Sequence, residues 1–339
     1  MLKPKVYFRS DASSEIGMGH FSRCIGLADI VKDFLEPVFL MQQFNTICKG
    51  LCKEKNFEFI ELSIGVKPSD DLDEIDKNID NGTLVVVDGY HLTGGWLQLY
   101  LKKKDCKVIC IDDIHAQHFY SDVVINHGGA SREDYSIEPY TQLFLGLNYA
   151  ILKNEFIEAA KLRRPKSAVK NILIAIGGTD PNHYSAQLAD WLIDLEQIEQ
   201  INILTTTANK NIIPLVDYCN DENKLNIHID LPTDEVIDLM LENDLAILPA
   251  STICIEACAV GIGIICGITA ENQYDMYKEL TRTPAVLGLD KLINISDQKM
   301  RSVVQSLTLD QVNEMIKHQR KLVDGRSHDR IREIFKKLC

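Results

Sequence analysis

Short runs of apolar, often β-branched residues recur along this chain, and they constrain its fold more than any other feature. In the first half they cover residues 6–8, 37–41, 57–60, 83–88, 107–112 and 123–126. Helix-like segments separate these runs, and strands that are apolar at successive positions suit a parallel sheet covered on both faces. The first half is therefore predicted to be a parallel α/β domain.

The same alternation starts again in the second half, with runs at residues 171–176, 201–205, 226–229, 245–249 and 262–266. The charged stretch 161–166, which contains Pro165, separates the two series and is typical of a linker. A chain of 339 residues also exceeds one ordinary core. The sequence predicts two Rossmann-like, doubly wound domains, 1–160 and 161–339. An amphipathic helix at residues 309–338 either closes the second domain or crosses back to the first.

The stretch FRSDASSEIGMGHFSR, residues 8–23, reads as a strand end, a loop and a helix start. Gly17 and Gly19 allow positive φ and a close approach of the backbone to a ligand. His20 then lies at the helix N-terminus, with Arg23 one turn further on the same face. An ordinary turn followed by a capping histidine would give the same spacing.

Composition excludes several classes of partner. The net charge of −13 repels polyanions, so a nucleic-acid partner is not expected. No apolar run approaches the length of a membrane span or forms a signal peptide, so we expect a cytoplasmic protein without stable membrane insertion. The ten cysteines lack any Cys-x-x-Cys pair and are expected to be reduced and mostly buried. The oligomeric state is not predicted.

A second group of polar and glycine residues follows strands of the second half. Gly177, Gly178 and Thr179 come directly after one strand, and a helix begins near Ser251 and Thr252. Both segments offer backbone N–H groups to an anion, and the two hydroxyl side chains can cap the helix. An ordinary strand-to-helix turn is the alternative for the glycine pair.

The opening motif resembles that of the UDP-2,4-diacetamido-2,4,6-trideoxy-β-L-altropyranose hydrolases of pseudaminic acid biosynthesis. These are similar in fold to GT-B glycosyltransferases of the peptidoglycan type, and the resemblance spans most of the chain. It implies two Rossmann-like domains facing across a cleft. It also implies a polysaccharide-biosynthesis enzyme that releases UDP by attack of water on the anomeric carbon, with inversion and without cofactor or metal.

The resemblance also implies roles for individual residues. His20 matches the base that activates water, since an imidazole can accept a proton near neutral pH. Glu256 matches a carboxylate that binds ribose hydroxyls, although a solvated helix charge is the alternative. The sugar is expected beside Arg9, Asp11, Gly17, Gly19, Arg23, Tyr90, Tyr149 and Lys153, and the nucleotide beside Gly177, Gly178, Thr179, Ser251, Thr252, Glu256, Asn272 and Gln273.

Several alternatives remain open. Arg9 and Asp11 could form a structural ion pair, and Tyr90 and Tyr149 could be core residues. Lys153 stands where the family often has arginine, which keeps the charge but weakens a bidentate contact.

Other activities also fit the sequence. A glycosyltransferase would use His20 to deprotonate an acceptor hydroxyl. A non-catalytic nucleotide-sugar binding protein is suggested by departures from the family pattern at residues 248–252 and 261–263. The stretch 112–118, with His127 beyond it, has residue types that bind metals, but the family needs none.

Overall fold

The computed structural model describes residues 3–12, 16, 18–42, 45–63, 68–92, 95–220 and 222–339. The chain divides into two compact units, one made of Met1–Ile151 with Ser327–Cys339 and the other of Leu152–Arg326. These units differ from the expected domains, 1–160 and 161–339, in two places. The first boundary lies after Ile151, and the last helix joins the first unit.

The first unit is built on a parallel sheet. Its strands are β1 (Lys5–Ser10), β2 (Glu36–Met41), β3 (Glu58–Glu61), β4 (Leu84–Asp88), β5 (Lys107–Ile111), β6 (His118–Phe119), β7 (Val123–Asn126), β8 (Ser136–Ile137) and β9 (Gln142–Leu145). Its first helices are α1 (Gly19–Val31), α2 (Thr46–Glu54), α3 (Pro68–Asn78) and α4 (Trp96–Lys103). The sheet order is β3-β2-β1-β4-β5-β7-β9, with every pairing parallel, and β6 pairs only with β8.

Apolar cores cover both faces of this sheet, as its near-continuous apolar strands require. On one face Phe8 stacks on Phe39 with ring centroids 5.2 Å apart, and α1 packs there. On the other face α4 contributes Leu97 and Leu101 to a second core. The strands predicted from the apolar runs are confirmed. The edge strand β9, whose side chains are only partly buried, was not predicted.

The second unit repeats the plan. Its strands are β10 (Asn171–Ile174), β11 (Gln200–Thr205), β12 (Leu225–Ile229), β13 (Leu245–Pro249), β14 (Gly263–Ile268) and β15 (Leu287–Lys291). Its helices are α5 (Asn154–Lys161), α6 (Tyr184–Leu192), α7 (Ile212–Asn220), α8 (Thr233–Glu242), α9 (Thr252–Val260), α10 (Tyr274–Thr281), α11 (Asp297–Ser306) and α12 (Leu309–Leu322). The parallel sheet has the order β12-β11-β10-β13-β14-β15.

Each sheet reverses its strand order once, between β1 and β4 in the first unit and between β10 and β13 in the second. Loops that leave the carboxyl ends of such neighbouring strands diverge in opposite directions, which opens a crevice where ligands bind in this class of fold. The residues after these four strands are therefore the first place to look for a site. Within the described part of the chain, no helix is both long and apolar enough to cross a bilayer.

The tail forms two helices instead of the single one expected. After α12 the chain turns at Gly325, whose φ of +74° favours glycine, and α13 (Ser327–Leu338) begins. Helix α13 buries Ile331, Ile334 and Phe335 in the core that contains α1. Arg332 Nη1 also donates to the carbonyl of Ile30, 2.7 Å away near the end of α1. The tail therefore crosses back to the first unit.

The charged stretch 161–166 is not a solvated linker. Arg163 is buried and its Nε donates to the carbonyl of Ala259 near the end of α9, 2.5 Å away, while Nη2 donates to the carbonyl of Val323. Lys166 Nζ donates to the carbonyl of Leu241, 2.8 Å away near the end of α8. Cations at helix C-termini satisfy carbonyls that lack helical partners. Charge in this stretch therefore fixes helices within the second unit.

Candidate active site

The opening motif and the end of β4 meet at the reversal point of the first sheet. Strand β1 pairs with β4 so that Ser10 lies opposite Asp88. Helix α1 begins at Gly19, as the sequence predicts, and this brings His20 to the carboxylate of Asp88. His20 Nδ1 lies 2.7 Å from Asp88 Oδ1, and the two residues are only 5% and 1% exposed. Two polar residues far apart in sequence thus form one buried pair.

The geometry defines which nitrogen of His20 carries the proton. Arg23 Nη2 also lies 2.8 Å from His20 Nδ1, but a guanidinium can only donate. An unprotonated Nδ1 would face a carboxylate oxygen at 2.7 Å with no hydrogen between them, so the proton lies on Nδ1 and is donated to Asp88. Among the described residues, none makes a hydrogen bond to His20 Nε2. This nitrogen therefore holds a lone pair that can accept a proton.

Arg23 holds the carboxylates of this site. Its Nε and Nη2 donate to the two oxygens of Asp88 at 3.0 and 2.8 Å, and its Nη1 donates to Asp113 at 2.7 Å. Burial would lower the pKa of Arg23, but Asp88 and Asp113 raise it above its ordinary value. The guanidinium therefore orients Asp88, a role that the sequence did not suggest, and its contact with a sugar stays a prediction.

Tyr90 closes one side of the His20 imidazole. The two rings meet edge to face with centroids 4.5 Å apart and an interplanar angle of 89°. Burial would raise the pKa of Asp113, but Arg23 and a hydrogen bond from Tyr90 lower it. His20, Arg23 and Tyr90, three of the residues expected from the sequence, are thus brought together.

Arg9 and Asp11 form a second buried pair. Arg9 Nη1 lies 2.8 Å from Asp11 Oδ2, and Asp11 Oδ1 accepts from the backbone N–H of Gln42 at 2.7 Å. His91 Nε2 lies 2.7 Å from the same Asp11 Oδ2. Burial would raise the pKa of Asp11, but His91, Arg9 and Gln42 lower it to about 2. Asp11 is therefore ionised at neutral pH and links the end of β1 to Gln42 and His91.

Gly17, another residue expected from the sequence, lies outside the described residues. Tyr149 packs edge to face against Phe144, with ring centroids 5.3 Å apart, and is partly buried against the first core. This matches the alternative of a core tyrosine, and its contact with a sugar stays a prediction.

The sequence indicates that Asp88, Asp113 and His127 lie at the ligand-binding rim of the sheet, because they end or follow apolar runs, but it assigns them no role, and it does not single out His91. Asp88 ends β4 and Asp113 follows β5, at the carboxyl edge of the sheet. His127 is buried and its Nδ1 accepts from the N–H of Ile151 at 3.3 Å. Burial and the charge of Arg23 lower its pKa to about 4, so it is neutral at pH 7.

Residues of the stretch 112–118 form hydrogen bonds within the first unit. Asp112 Oδ2 accepts from the Tyr135 hydroxyl at 2.9 Å and from the N–H of His115 at 2.8 Å. Where the structure describes the chain, no three His, Cys, Asp or Glu side chains are grouped to hold a metal ion.

In the second unit the glycine pair follows β10 at the reversal point. Gly177 has a φ of +109°, and Gly178 accepts a hydrogen bond from the Thr206 hydroxyl at 2.9 Å. A Cβ at Gly178 would lie 2.9 Å from the same hydroxyl oxygen, so only glycine fits without movement of Thr206. The pair borders a cavity of about 160 Å³ that is also lined by Asp230, Leu231, Val236 and Ile253.

The N-terminus of α9 adjoins this cavity through Ile253. Ser251 stands at the N-cap, but its side chain makes no cap hydrogen bond, contrary to the capping expected from the sequence. The N–H of Cys254 donates to the Ser251 carbonyl at 2.9 Å, so the N–H groups of Thr252 and Ile253 are the ones that this helix start offers to an anion.

Glu256 lies one turn into α9 in a partly buried position. Burial raises its pKa to about 7, and the positive charge of Lys153 opposes this rise. Lys153 Nζ donates to the Thr233 hydroxyl at 2.7 Å. No described residue forms an ion pair with Glu256. A partly buried carboxyl group with a raised pKa is typical of a functional site, and carboxylate oxygens can accept from ligand hydroxyls.

Of the remaining expected nucleotide residues, Thr179 lies on a loop, and Asn272 and Gln273 lie in the 3₁₀ turn Glu271–Gln273. Gln273 Oε1 accepts from the N–H of Thr269 at 2.8 Å and so shapes the turn before α10. Asn272 and Thr179 are exposed. Their contact with a nucleotide stays a prediction.

A larger cavity lies elsewhere in the second unit. It has a volume of about 580 Å³ and is lined by Asn171, Gln200 and Leu225, the first residues of β10, β11 and β12, among others. This is the amino-terminal edge of the sheet, opposite the edge that carries the glycine pair. Since the ligand sites of doubly wound sheets lie at the carboxyl edge, the smaller cavity is the better candidate.

Sequence comparison finds relatives of moderate identity, although no protein-family model matches the chain. The chain is 29% identical over 258 residues to the UDP-2,4-diacetamido-2,4,6-trideoxy-beta-L-altropyranose hydrolase of Campylobacter jejuni, covering 75% of this chain and 87% of that one. It is 24% identical to the spore coat polysaccharide biosynthesis protein SpsG of Bacillus subtilis, over 97% of both chains. These matches confirm the resemblance seen in the opening motif.

A third relative is longer than this chain. An uncharacterized protein of Methanocaldococcus jannaschii is 28% identical over 303 residues, which is 85% of this chain but only 60% of that protein.

Solved structures show the fold. MurG of Acinetobacter baumannii superposes with a TM-score of 0.68 at 14% identity, covering 98% of this chain and 99% of MurG. HepE of Anabaena, solved in complex with UDP, gives a TM-score of 0.65 at 12% identity, covering 98% of this chain and all of HepE. The chain therefore has the GT-B fold of two Rossmann-like domains.

Proposed function

We propose that this protein hydrolyses a UDP-sugar, with His20 as the base that activates water. The observation that carries the proposal is the 2.7 Å contact between His20 Nδ1 and Asp88 Oδ1, which leaves Nε2 as the proton acceptor of a ring that packs against Tyr90. The substrate we propose is UDP-2,4-diacetamido-2,4,6-trideoxy-β-L-altropyranose, because the C. jejuni relative bears that name. We also propose a cytoplasmic location and a role in polysaccharide biosynthesis.

The reaction needs one base and one site for the leaving group. His20 Nε2 takes a proton from water while the water oxygen bonds to the anomeric carbon. The bond from that carbon to the UDP oxygen breaks, and its electron pair leaves with UDP. Attack opposite the leaving group inverts the anomeric centre. General base catalysis contributes about 10²–10⁴-fold, so stabilisation of the departing charge must supply the rest.

The second unit offers what the departing UDP needs. The N–H groups that begin α9 are suited to a diphosphate, and the small cavity beside Gly177 and Gly178 is suited to part of the nucleoside. Glu256 is suited to accept from ribose hydroxyls. The HepE complex supports this assignment, because a protein of the same fold binds UDP.

Incubation with the UDP-altropyranose substrate in ¹⁸O-labelled water tests the proposal. We expect UDP release with the label in the free sugar, since the carbon–oxygen bond breaks. The variant H20N should lower kcat about 10²–10⁴-fold, because the base is lost, and should leave UDP affinity unchanged.

Three results would contradict the proposal. Label in UDP would mean cleavage at phosphorus, and release that depends on an added acceptor would indicate a glycosyltransferase. Tight binding of UDP without turnover of any UDP-sugar would indicate a binding protein.

A further inference from the structure

A second histidine–carboxylate pair joins the same two strand ends, and the proposed chemistry does not use it. His20 follows β1 and pairs with Asp88 on β4. Conversely, Asp11 follows β1 and pairs with His91, which follows β4, with Nε2 and Oδ2 2.7 Å apart. Strands β1 and β4 are neighbours in the sheet. Both pairs therefore connect the ends of these two strands, and each strand end supplies the histidine of one pair and the carboxylate of the other.

Asp11 fixes the tautomer of His91. Its carboxylate is ionised and held by Arg9 and the N–H of Gln42, so it can only accept hydrogen bonds. His91 Nε2 therefore carries the proton and donates it to Asp11. In the neutral imidazole the other nitrogen, Nδ1, then holds a lone pair.

The ring of His91 contacts a buried carboxylate and is itself only partly buried. The Asp11 side chain is 3% exposed, whereas that of His91 is 34% exposed. A Cβ at Gly89 would lie 2.8 Å from His91 Cε1 and 3.1 Å from Nδ1, so the absence of a side chain at Gly89 makes room for this ring. No hydrogen bond reaches His91 Nδ1 from the residues that the structure describes.

His91 also lies beside the proposed reaction centre. It shares the single 3₁₀ turn Tyr90–Leu92 with Tyr90, whose ring contacts the base His20. We propose that His91 is a second sugar-binding residue, whose Nδ1 accepts a hydrogen bond from a hydroxyl or amide N–H group of the sugar and so selects the sugar. This inference rests on the proposed function, because it requires a UDP-sugar at the site.

Two conservative variants separate sugar recognition from a purely structural role. In H91Q the amide nitrogen can occupy the position of Nε2 and keep the bond to Asp11, but the acceptor at Nδ1 is lost. In H91N the amide oxygen can replace Nδ1, but the bond to Asp11 is lost. We expect H91Q to lower kcat/KM for the UDP-altropyranose substrate about tenfold, the usual cost of one missing hydrogen bond. Its UDP affinity and Tm should match the wild type.

Nuclear magnetic resonance of protein carrying ¹⁵N-labelled histidine gives a readout that does not depend on turnover. The Nδ1 resonance of His91, assigned by its loss in H91Q, should move when the UDP-altropyranose substrate is added to the H20N variant. UDP alone should leave it in place, because UDP lacks the sugar.

The outcomes distinguish this inference from the proposed function. If the wild type hydrolyses the UDP-sugar and H91Q keeps kcat/KM within twofold of it, the inference alone is overturned. The same holds if the His91 Nδ1 resonance does not move when the UDP-sugar binds. A wild type that binds the UDP-sugar without hydrolysis, but with the expected shift at His91, would overturn hydrolysis and leave the inference standing. A protein that does not bind UDP-sugars at all would overturn both.

Discussion

At the scale of single residues, the protein uses buried carboxylates to set the state of nearby groups. Asp88 accepts from both His20 and Arg23, and this double engagement is what makes Nε2 of His20 the basic nitrogen. Glu256 shows the opposite arrangement, a carboxyl group kept partly buried without a hydrogen bond from any described residue. In the proposed reaction, the first arrangement prepares the base and the second provides an acceptor for the ribose hydroxyls.

The variant D88N tests the tautomer of His20. Asparagine keeps the shape of the side chain, but its amide can donate to Nδ1 and so move the imidazole proton to Nε2. We expect kcat for UDP release to fall about 10²–10⁴-fold with little change in KM. The variant D113N is the matched control, because it removes an Arg23 contact but keeps the His20 pair. Equal losses in the two variants would argue against the tautomer mechanism.

Glu256 predicts an unusual pH dependence of stability. Its pKa of about 7 in the folded protein lies above the ordinary 4.5, so the native state binds the proton more tightly than the unfolded state. The contribution of Glu256 to the free energy of unfolding is therefore greatest below pH 4.5 and is lost as the pH rises to 7. Relative to E256Q, the wild type should lose about 1–3 kcal/mol of unfolding free energy over that range. Urea unfolding at pH 4.5, 6 and 8 measures this loss. A difference in unfolding free energy between the wild type and E256Q that does not change with pH would refute the prediction.

At the scale of elements, the sequence predicted the buried strands and one edge of each sheet, β3 and β12, but missed the opposite edges, β9 and β15. Runs that are apolar at every position identify interior strands such as β4 and β13, whereas β15 mixes Gly288 and Asp290 with apolar residues and gives no clear run. The break between α12 and α13 escaped notice because a single glycine at position 325 causes it. The amphipathic pattern continues on both sides of that glycine.

The candidate site was predictable in its parts but not in its pairings. The motif at His20 and the polar strand ends are visible in the sequence. That His20 pairs with Asp88, and Asp11 with His91, depends on the register of β1 against β4, which no local pattern encodes. Likewise, the buried role of Arg163 follows from the position of the α9 terminus and not from its charged neighbours.

The turn after β10 gives a test at this scale. In G178A the new Cβ would lie 2.9 Å from the Thr206 hydroxyl oxygen, so the turn or Thr206 must shift. We expect UDP affinity, measured by calorimetry, to fall about tenfold. The control is G50A, on the exposed side of α2 where a Cβ would meet nothing within 4 Å. It should keep UDP affinity and raise stability by about 0.5–1 kcal/mol. Unchanged affinity in G178A would exclude this turn from the nucleotide site.

At the scale of the whole molecule, the two units are built differently. The second is one continuous segment, whereas the first takes its last helix from the end of the chain. Each unit carries one of the two tryptophans, Trp96 on α4 and Trp191 on α6. Fluorescence of W191F and W96F proteins therefore reports the unfolding of the first and second units separately.

Phe335 tests the contribution of α13. Its side chain is fully buried in the core of the first unit, so F335A should destabilise that unit by about 3–5 kcal/mol. Denaturant unfolding followed by Trp96 in the W191F background should show the loss, and Trp191 in the W96F background should not. The control I213A removes a side chain that is 72% exposed on α7 and should change neither signal. A loss reported by Trp191 would show that α13 stabilises the second unit instead.

The return of α13 also affects the order in which the protein can fold on the ribosome. Domains usually fold in the order of their synthesis. Here the whole of Leu152–Arg326 is translated before Ser327–Leu338, so the unit that begins first is completed last. Until α13 emerges, the nascent first unit exposes the apolar surface of α1 that Ile331, Ile334 and Phe335 later cover. The helix that carries the proposed catalytic histidine therefore gains this support only after the second unit has been translated.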